Sequence, residues 1–180
     1  MVIAIIQARM GSTRLPGKVL MKVNNKPLLA YQLDRVKRSK NLDKIVVATS
    51  TLEKDNEISE LCYNYGIDCY RGSENDVLSR YYDAALVNNA KTIVRLTADC
   101  PLIDPNIIDN IINKFVNEKS DYCSNTNPLE KSKFPDGTDV EIFSMPSLEK
   151  ANNEVSDPSF REHVTFQFWK TPEYISTTYT

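Results

Sequence analysis

The run Val2-Ile3-Ala4-Ile5-Ile6 is apolar without alternation, and it breaks directly into Gln7-Ala8-Arg9-Met10-Gly11-Ser12-Thr13-Arg14-Leu15-Pro16-Gly17-Lys18. A strand with two apolar faces must be covered on both sides, the situation of a parallel sheet between helix layers. Ligands of such sheets sit beyond the carboxyl ends of the strands. Here that position holds Arg9, Arg14 and Lys18 on a backbone that includes Gly11 and Gly17. Glycine lets main-chain amides approach an anion closely, arginine forks across two phosphate oxygens, and lysine supplies a point charge. The loop reads as a site for a polyphosphate.

Two better-known phosphate motifs fail on spacing. A P-loop needs four residues between its glycines and a hydroxyl after the lysine; here five residues separate Gly11 from Gly17 and Val19 follows Lys18. The dinucleotide fingerprint G-x-G-x-x-G does not occur among the glycines at 11, 17, 66, 72 and 137, which argues against a nicotinamide-dependent dehydrogenase.

The 180 residues suit one domain, 1–180, large enough to fold without staples. A net charge of −2 speaks against a nucleic-acid partner and for a small anionic ligand, because the useful cations are concentrated in one loop. Cys62, Cys69, Cys100 and Cys123 lack C-x-x-C spacing, and His163 is the sole histidine, so a zinc site is not expected and reduced thiols are. With no apolar run of membrane-spanning length and no basic leader, a cytoplasmic protein without a membrane partner is expected.

Strand and helix patterns alternate along the chain. Leu29, Leu33 and Val36 recur at helical spacing, Lys44 to Thr49 reads as a buried strand, and Ile58, Leu61, Cys62 and Tyr65 form one helix face stopped by Gly66. A strand from Ile67 to Tyr70 runs into a turn at Arg71-Gly72-Ser73; a helix with Val77, Leu78, Tyr81, Tyr82 and Ala85 inward precedes a strand from Thr92 to Leu96. Pro105 opens a helix whose core face starts at Ile107 and Ile108. Residues 121–137 lose periodicity and read as a mobile excursion, Thr138 to Phe143 as a strand, and Asp157-Pro158 as the start of a last helix through Trp169. The pattern predicts an α/β fold, a three-layer α/β/α sandwich around a mostly parallel, Rossmann-like sheet.

The first loop also carries every fixed position of an Ala-Arg-x-x-Ser-x-Arg-x-Pro-Gly-Lys pattern, namely Ala8, Arg9, Ser12, Arg14, Pro16, Gly17 and Lys18. In this it resembles the nucleotidyltransferases that make activated sugars, with their nucleotide-diphospho-sugar transferase type of fold. It looks most like the cytidylyltransferases of the spore-coat polysaccharide branch, related to the enzymes that make CMP-sialic acid and CMP-ketodeoxyoctonate. Further blocks are similar in order: Val47-Ala48-Thr49-Ser50, Arg71-Gly72-Ser73 with Asp76 and Arg80, Arg95 to Ile103, Asp136 to Glu141, and Arg161 to Thr165.

The resemblance implies transfer of CMP from CTP to a sugar or sugar-acid acceptor with release of pyrophosphate, for surface polysaccharide or glycan synthesis, with Mg2+ and as a homodimer. Lys18, Arg9 and Arg14 would bind the triphosphate and stabilise the leaving pyrophosphate; Ala8, Gly11, Ser12, Arg71, Gly72 and Ser73 would hold the nucleotide. Asp99, beyond a strand end, would take the metal, with Asp139 as a second ligand; a helix cap is the alternative for Asp99, set aside by its strand-end position and the resemblance, and the favoured reading of Asp104. For Ser73 the plain reading is an N-cap. Asp139 and Glu141 alternate on a strand, so they would share one face, which either meets the acceptor or is simply exposed. Arg161 and His163 would serve the acceptor or a dimer contact, and 121–137 would line the acceptor pocket.

Related enzymes continue past the last helix into a strand and an Asp-x-Pro-x-Asp segment carrying another metal ligand. The sequence ends at Thr177-Thr178-Tyr179-Thr180 and so reads as shortened at its C-terminus. A non-catalytic nucleotide-binding domain is therefore the alternative, or an enzyme in which Asp139 or Glu141 substitutes. A nucleotide-sugar-dependent glycosyltransferase is a third reading, against which stands the absence of an Asp-x-Asp motif.

Overall fold

The first strand is placed where its composition requires. In the computed structural model, which describes residues 1–12, 15–126 and 132–180, β1 (Val2–Gln7) lies between the parallel strands β4 (Lys44–Ser50) and β6 (Thr92–Thr97), with Ile3 through Ile6 wholly buried. Each of the isoleucines contributes roughly 1.5–3 kcal/mol. The sheet continues through β5 (Asp68–Gly72) on one side and β8 (Glu141–Ser144), β7 (Tyr122–Ser124) and β9 (Ser176–Thr178) on the other, in the order β5-β4-β1-β6-β8-β7-β9. Only β8 runs antiparallel to its neighbours. A hairpin of β2 (Lys22–Val23) and β3 (Lys26–Pro27) turns through Asn24 and Asn25, both at positive φ, as a two-residue primed turn demands.

Helices cover both faces. Against one, α1 (Leu28–Val36), α2 (Asn56–Asn64) and α4 (Pro105–Glu118) pack Leu33, Ile58 and Ile111 over Ala4, Ile6 and Val47. Against the other, α3 (Val77–Val87), α5 (Met145–Glu154) and α7 (Phe166–Lys170) pack Leu78, Leu148 and Phe168 over Ile3, Ile5 and Val46. Asp76 caps α3 by accepting from the Ser79 amide, and Asp104 caps α4 by accepting from the Asn106 amide, so the cap reading holds for Asp104 and passes from Ser73 to Asp76. The three-layer, mostly parallel sandwich is thus the observed architecture. No helix among the described residues is long and apolar enough to cross a membrane.

Three expectations need correction. The stretch 121–137 is not one excursion: Tyr122, Cys123 and Ser124 are buried in a sheet strand, while 127–131 lie outside the described residues. The last helix is two, α6 (Pro158–His163) and α7, separated at Val164, whose φ of 58° ends the first turn sequence. A strand does follow α7, since β9 pairs in parallel with β7.

From β1 the chain moves outward to β4 and β5, then returns to β6 on the other side of β1. Connections leave the β1 and β6 ends in opposite directions, opening a crevice at their carboxyl termini.

Candidate nucleotide site

Gln7 and Thr97, the last residues of β1 and β6, are register neighbours, and the Ala98 amide donates to the Gln7 carbonyl. Beyond them opens a cleft of about 230 Å³ lined by Gln7, Arg9, Ser12, Lys18, Thr97 and Asp99. The loop from Arg9 to Lys18 is pinned at its base. The Met10 amide donates to Asp55 Oδ1 at 2.8 Å, and Asp55 is fully buried with the Ser50 hydroxyl donating to its other oxygen. The Met10 carbonyl accepts from the amides of Ser12 and Gly17, both at 2.9 Å, which closes the loop, and Gly17 stands at φ 73°, a conformation a Cβ disfavours. The opposing turn is pinned by α1: Gln32 Nε2 donates to the Thr97 carbonyl (2.8 Å) and Arg35 Nε to the Ile103 carbonyl (2.6 Å).

Lys18 Nζ spans the cleft to Asp99 Oδ2 at 2.6 Å. Burial would raise the Asp99 pKa, but hydrogen bonds from Lys18 and Thr97 and the lysine charge outweigh it and hold the carboxyl below its ordinary value. Arg9 is 43% exposed at the rim, with Glu162 Oε1 3.9 Å from its guanidinium. Cys100, beside Asp99, has its thiol pushed up to about 11 by burial and by the charges of Asp99 and Asp139.

The expected residues separate into those the cleft gathers and those it does not. Arg9, Ser12, Lys18 and Asp99 converge there. Asp139 stands nearby, its Oδ2 4.0 Å from the Cys100 sulfur, which is 3.9 Å from Asp99 Oδ1, so the two carboxylates flank one thiol. Gly11 packs over the Lys54–Glu74 ion pair, and Ala8, 3% exposed, sits in the apolar layer beneath the loop. Arg14 lies outside the described residues.

Arg71 is committed internally, donating to the Ser50 and Leu52 carbonyls and to Asn56 Oδ1, and with Gly72 it ends β5 instead of forming a turn. Gly72 is pressed against Arg80, which donates to the Ser73 carbonyl. Glu141 does not share an exposed face with Asp139: it is 3% exposed and accepts from Arg95, Tyr122 and Thr165. Arg161 spends its donors on Asp76, Asn152 and Val155, tying α6 to α3 and α5, and His163 stacks on Phe166. Sequence reasoning missed Asp55, Gln7 and the Gln32 and Arg35 anchors. Of these only Gln7, at the end of the opening strand, carried a positional signal.

The donor set fits a hard divalent cation. Asp99 stays ionised, Asp139 adds carboxylate oxygens, and Cys100 is kept as a neutral thiol and offers no thiolate. Among the described residues no cluster of three or more His, Cys, Asp or Glu side chains surrounds a common point, so substrate oxygens and water would complete the shell.

A cationic loop and an acidic turn close on one crevice at the switch point of a mostly parallel sheet, an arrangement suited to nucleotide transfer, and the family match makes the class a nucleotidyltransferase. Within that class, residues 3–179 match the family described as cytidylyltransferase, and the chain belongs to it. It is 39% identical over 178 residues to the uncharacterized protein MJ1063 of Methanocaldococcus jannaschii, covering 99% of this chain and 71% of that one. It is 36% identical to the spore coat polysaccharide biosynthesis protein SpsF of Bacillus subtilis, covering 91% and 68%. A solved cytidylyltransferase from Leptospira borgpetersenii superposes with a TM-score of 0.92 at 37% identity, covering 99% of this chain and 75% of the other.

Proposed function

We propose that the protein transfers CMP from CTP to a sugar or sugar-acid acceptor, releasing pyrophosphate, in the synthesis of a surface polysaccharide or glycan. The observation that carries this reading is the convergence of Arg9, Ser12 and Lys18 with Asp99 across one crevice. Family membership, the polysaccharide relative and the motif blocks from Val47 to Thr165 support it.

An acceptor hydroxyl oxygen forms the new bond to the α-phosphorus, the bond to the bridging oxygen of pyrophosphate breaks, and the hydroxyl proton passes to solvent. Such transfers depend on charge neutralisation and in-line placement more than on covalent help. Lys18 and Arg9, with Arg14 on the same loop, bind the triphosphate tail. Because negative charge grows on the leaving oxygens, these cations matter more in the transition state than in the ground state. Asp99 and Asp139 would hold Mg2+, which when bound neutralises phosphate charge. The turn after β5, which Arg80 fixes by donating to the Ser73 carbonyl, would meet the base through its amides.

The working unit in this reading is a cytoplasmic homodimer, and sedimentation velocity tests it. The enzymatic test is pyrophosphate release from CTP with Mg2+ across ulosonic acids, nonulosonic acids and sugar phosphates. Stoichiometric pyrophosphate and a CMP-sugar by mass spectrometry with one class is the expected result. Tight CTP binding without pyrophosphate from any acceptor would instead leave a nucleotide-binding domain.

A further inference from the structure

Gln7 closes β1 at the floor of the cleft, and its side chain touches a buried charged chain behind the sheet edge. Arg95 Nη2 donates to Gln7 Oε1 at 3.1 Å. Arg95 Nη1 donates to Glu141, whose other oxygen accepts from the Tyr122 hydroxyl (2.6 Å) and the Thr165 hydroxyl (2.7 Å). The guanidinium also lies over the Tyr81 ring, 5.9 Å from its centroid. The side chains of Arg95 and Glu141 are 14% and 4% exposed.

A guanidinium only donates, so the Gln7 atom that faces it must be the carbonyl oxygen. The amide orientation follows from chemistry: its nitrogen, with two donors, is turned away from Arg95. No group among the described residues accepts from that nitrogen, and Gln7 lines the cleft. A buried ion pair brings little net stability over apolar side chains of equal volume, so its presence here calls for another use. Fixing the orientation of an amide at the cleft floor is such a use.

We propose that Gln7 is a substrate-contacting residue, donating from its amide nitrogen to an oxygen that offers only lone pairs, with Arg95 and Glu141 as the positioning residues that set its orientation. This rests on the nucleotidyl-transfer reading above. Two sources present that chemistry: a non-bridging phosphate oxygen of CTP, or a carboxylate or carbonyl oxygen of the acceptor. Gln7 lines the same crevice as the Lys18–Asp99 pair.

The test compares Gln7→Glu and Gln7→Met with the wild-type chain by CTP titration calorimetry, by steady-state kinetics with the acceptor that the pyrophosphate screen identifies, and by thermal melting. Gln7→Glu keeps an oxygen toward Arg95 and replaces the donor by a second oxygen; Gln7→Met keeps the volume and removes the amide. A rise of tenfold or more in the CTP Kd assigns the contact to CTP, and the same rise with CMP locates it outside the pyrophosphate tail. An equal rise in acceptor KM with unchanged CTP Kd assigns it to the acceptor. In both cases Gln7→Glu melts no lower than wild type, and the Gln7 side-chain amide resonances of the wild type shift on ligand addition. Unchanged Kd and KM in both variants, with the wild type turning over, overturn the inference and leave the proposed function intact. A wild-type chain that neither binds CTP nor turns over removes both.

Discussion

The Lys18 ammonium and the Asp99 carboxylate neutralise one another across the cleft at 2.6 Å, and the two groups come from the loop after β1 and the turn after β6. In the proposed function a triphosphate arriving with a cation would exchange this pair for two others, Lys18 with phosphate and Asp99 with metal. Loss of Lys18 should therefore lower kcat by about 10²–10³, the range found for removal of a single transition-state donor, with a smaller change in KM. Steady-state kinetics of Lys18→Met decide it; a change confined to KM would contradict a transition-state role.

The same pair sets a pH dependence. The Asp99 pKa is depressed in the folded chain, so the pair's contribution to stability is fully present above the unfolded value of about 3.9 and is lost as pH falls through the lower folded value. The side chains are 26% and 41% exposed, which limits the contribution to roughly 0–1 kcal/mol. In Lys18→Met burial acts with less opposition and the Asp99 pKa rises. Carboxyl carbon shifts followed by NMR between acid and neutral pH measure this, and an unmoved Asp99 titration would refute the cause assigned here.

Cys69 of β5 packs against the core cluster that holds Cys62 of α2, with the Ser59 hydroxyl 3.5 Å from its sulfur. The neighbouring Cys62 thiol, opposed by burial and aided by Ser59 and the Arg71 charge, brings the Cys69 thiol down to about 7, while Cys62 is pushed up by its neighbour and by burial. Cys69 should be alkylated before the other three thiols, about ten times faster at pH 8 than at pH 6 as its thiolate fraction grows. Cys100, up at about 11, should stay unmodified across that window. Iodoacetamide labelling with peptide mass spectrometry reads both rates.

Gly72 has no room for a methyl group: a Cβ would lie 3.0 Å from Tyr70 Cε1 and 3.1 Å from Arg80 Cγ. Arg80 is 1% exposed and donates to the Ser73 carbonyl, so its displacement carries the post-β5 turn with it. Gly72→Ala should cost about 1–3 kcal/mol, as overpacking does. Urea denaturation measures the cost, and a loss of CTP affinity beyond that of Gly66→Ala, a substitution strained by its φ of 61° but with nothing within 4 Å of the Cβ, locates the effect at the nucleotide.

What the sequence revealed and what it hid divide along local and distant causes. The Val2–Ile6 run and the helix faces are local patterns, and they placed the central strand, both helix layers and the loop that faces the crevice. β7 and β9 are three residues long, too short for period two to register, and Val164 gives no local sign of its positive φ. Asp55 reaches Met10 across 45 residues, so nothing near either one reveals the contact. Arg71, Glu141 and Arg161 read as ligand-facing charges because a sequence shows a charge and conceals its partner. All three are paired within the protein.

The buried Arg95–Glu141 pair separates stability from function. Removing one partner strands the other: Glu141→Ala leaves a guanidinium whose pKa burial lowers without the carboxylate that raises it, and removes the oxygen that accepts from the Tyr122 and Thr165 hydroxyls. Its expected cost is about 3–5 kcal/mol. The double variant Arg95→Met with Glu141→Leu removes both charges and should recover most of that loss, since apolar replacements of buried pairs are often neutral or stabilising. It cannot recover the donor that fixes the Gln7 carbonyl, so the amide is free to turn over. Melting and turnover of the two variants should therefore part company: stability returns in the double variant and kcat/KM does not. If both return together, the pair serves the core alone.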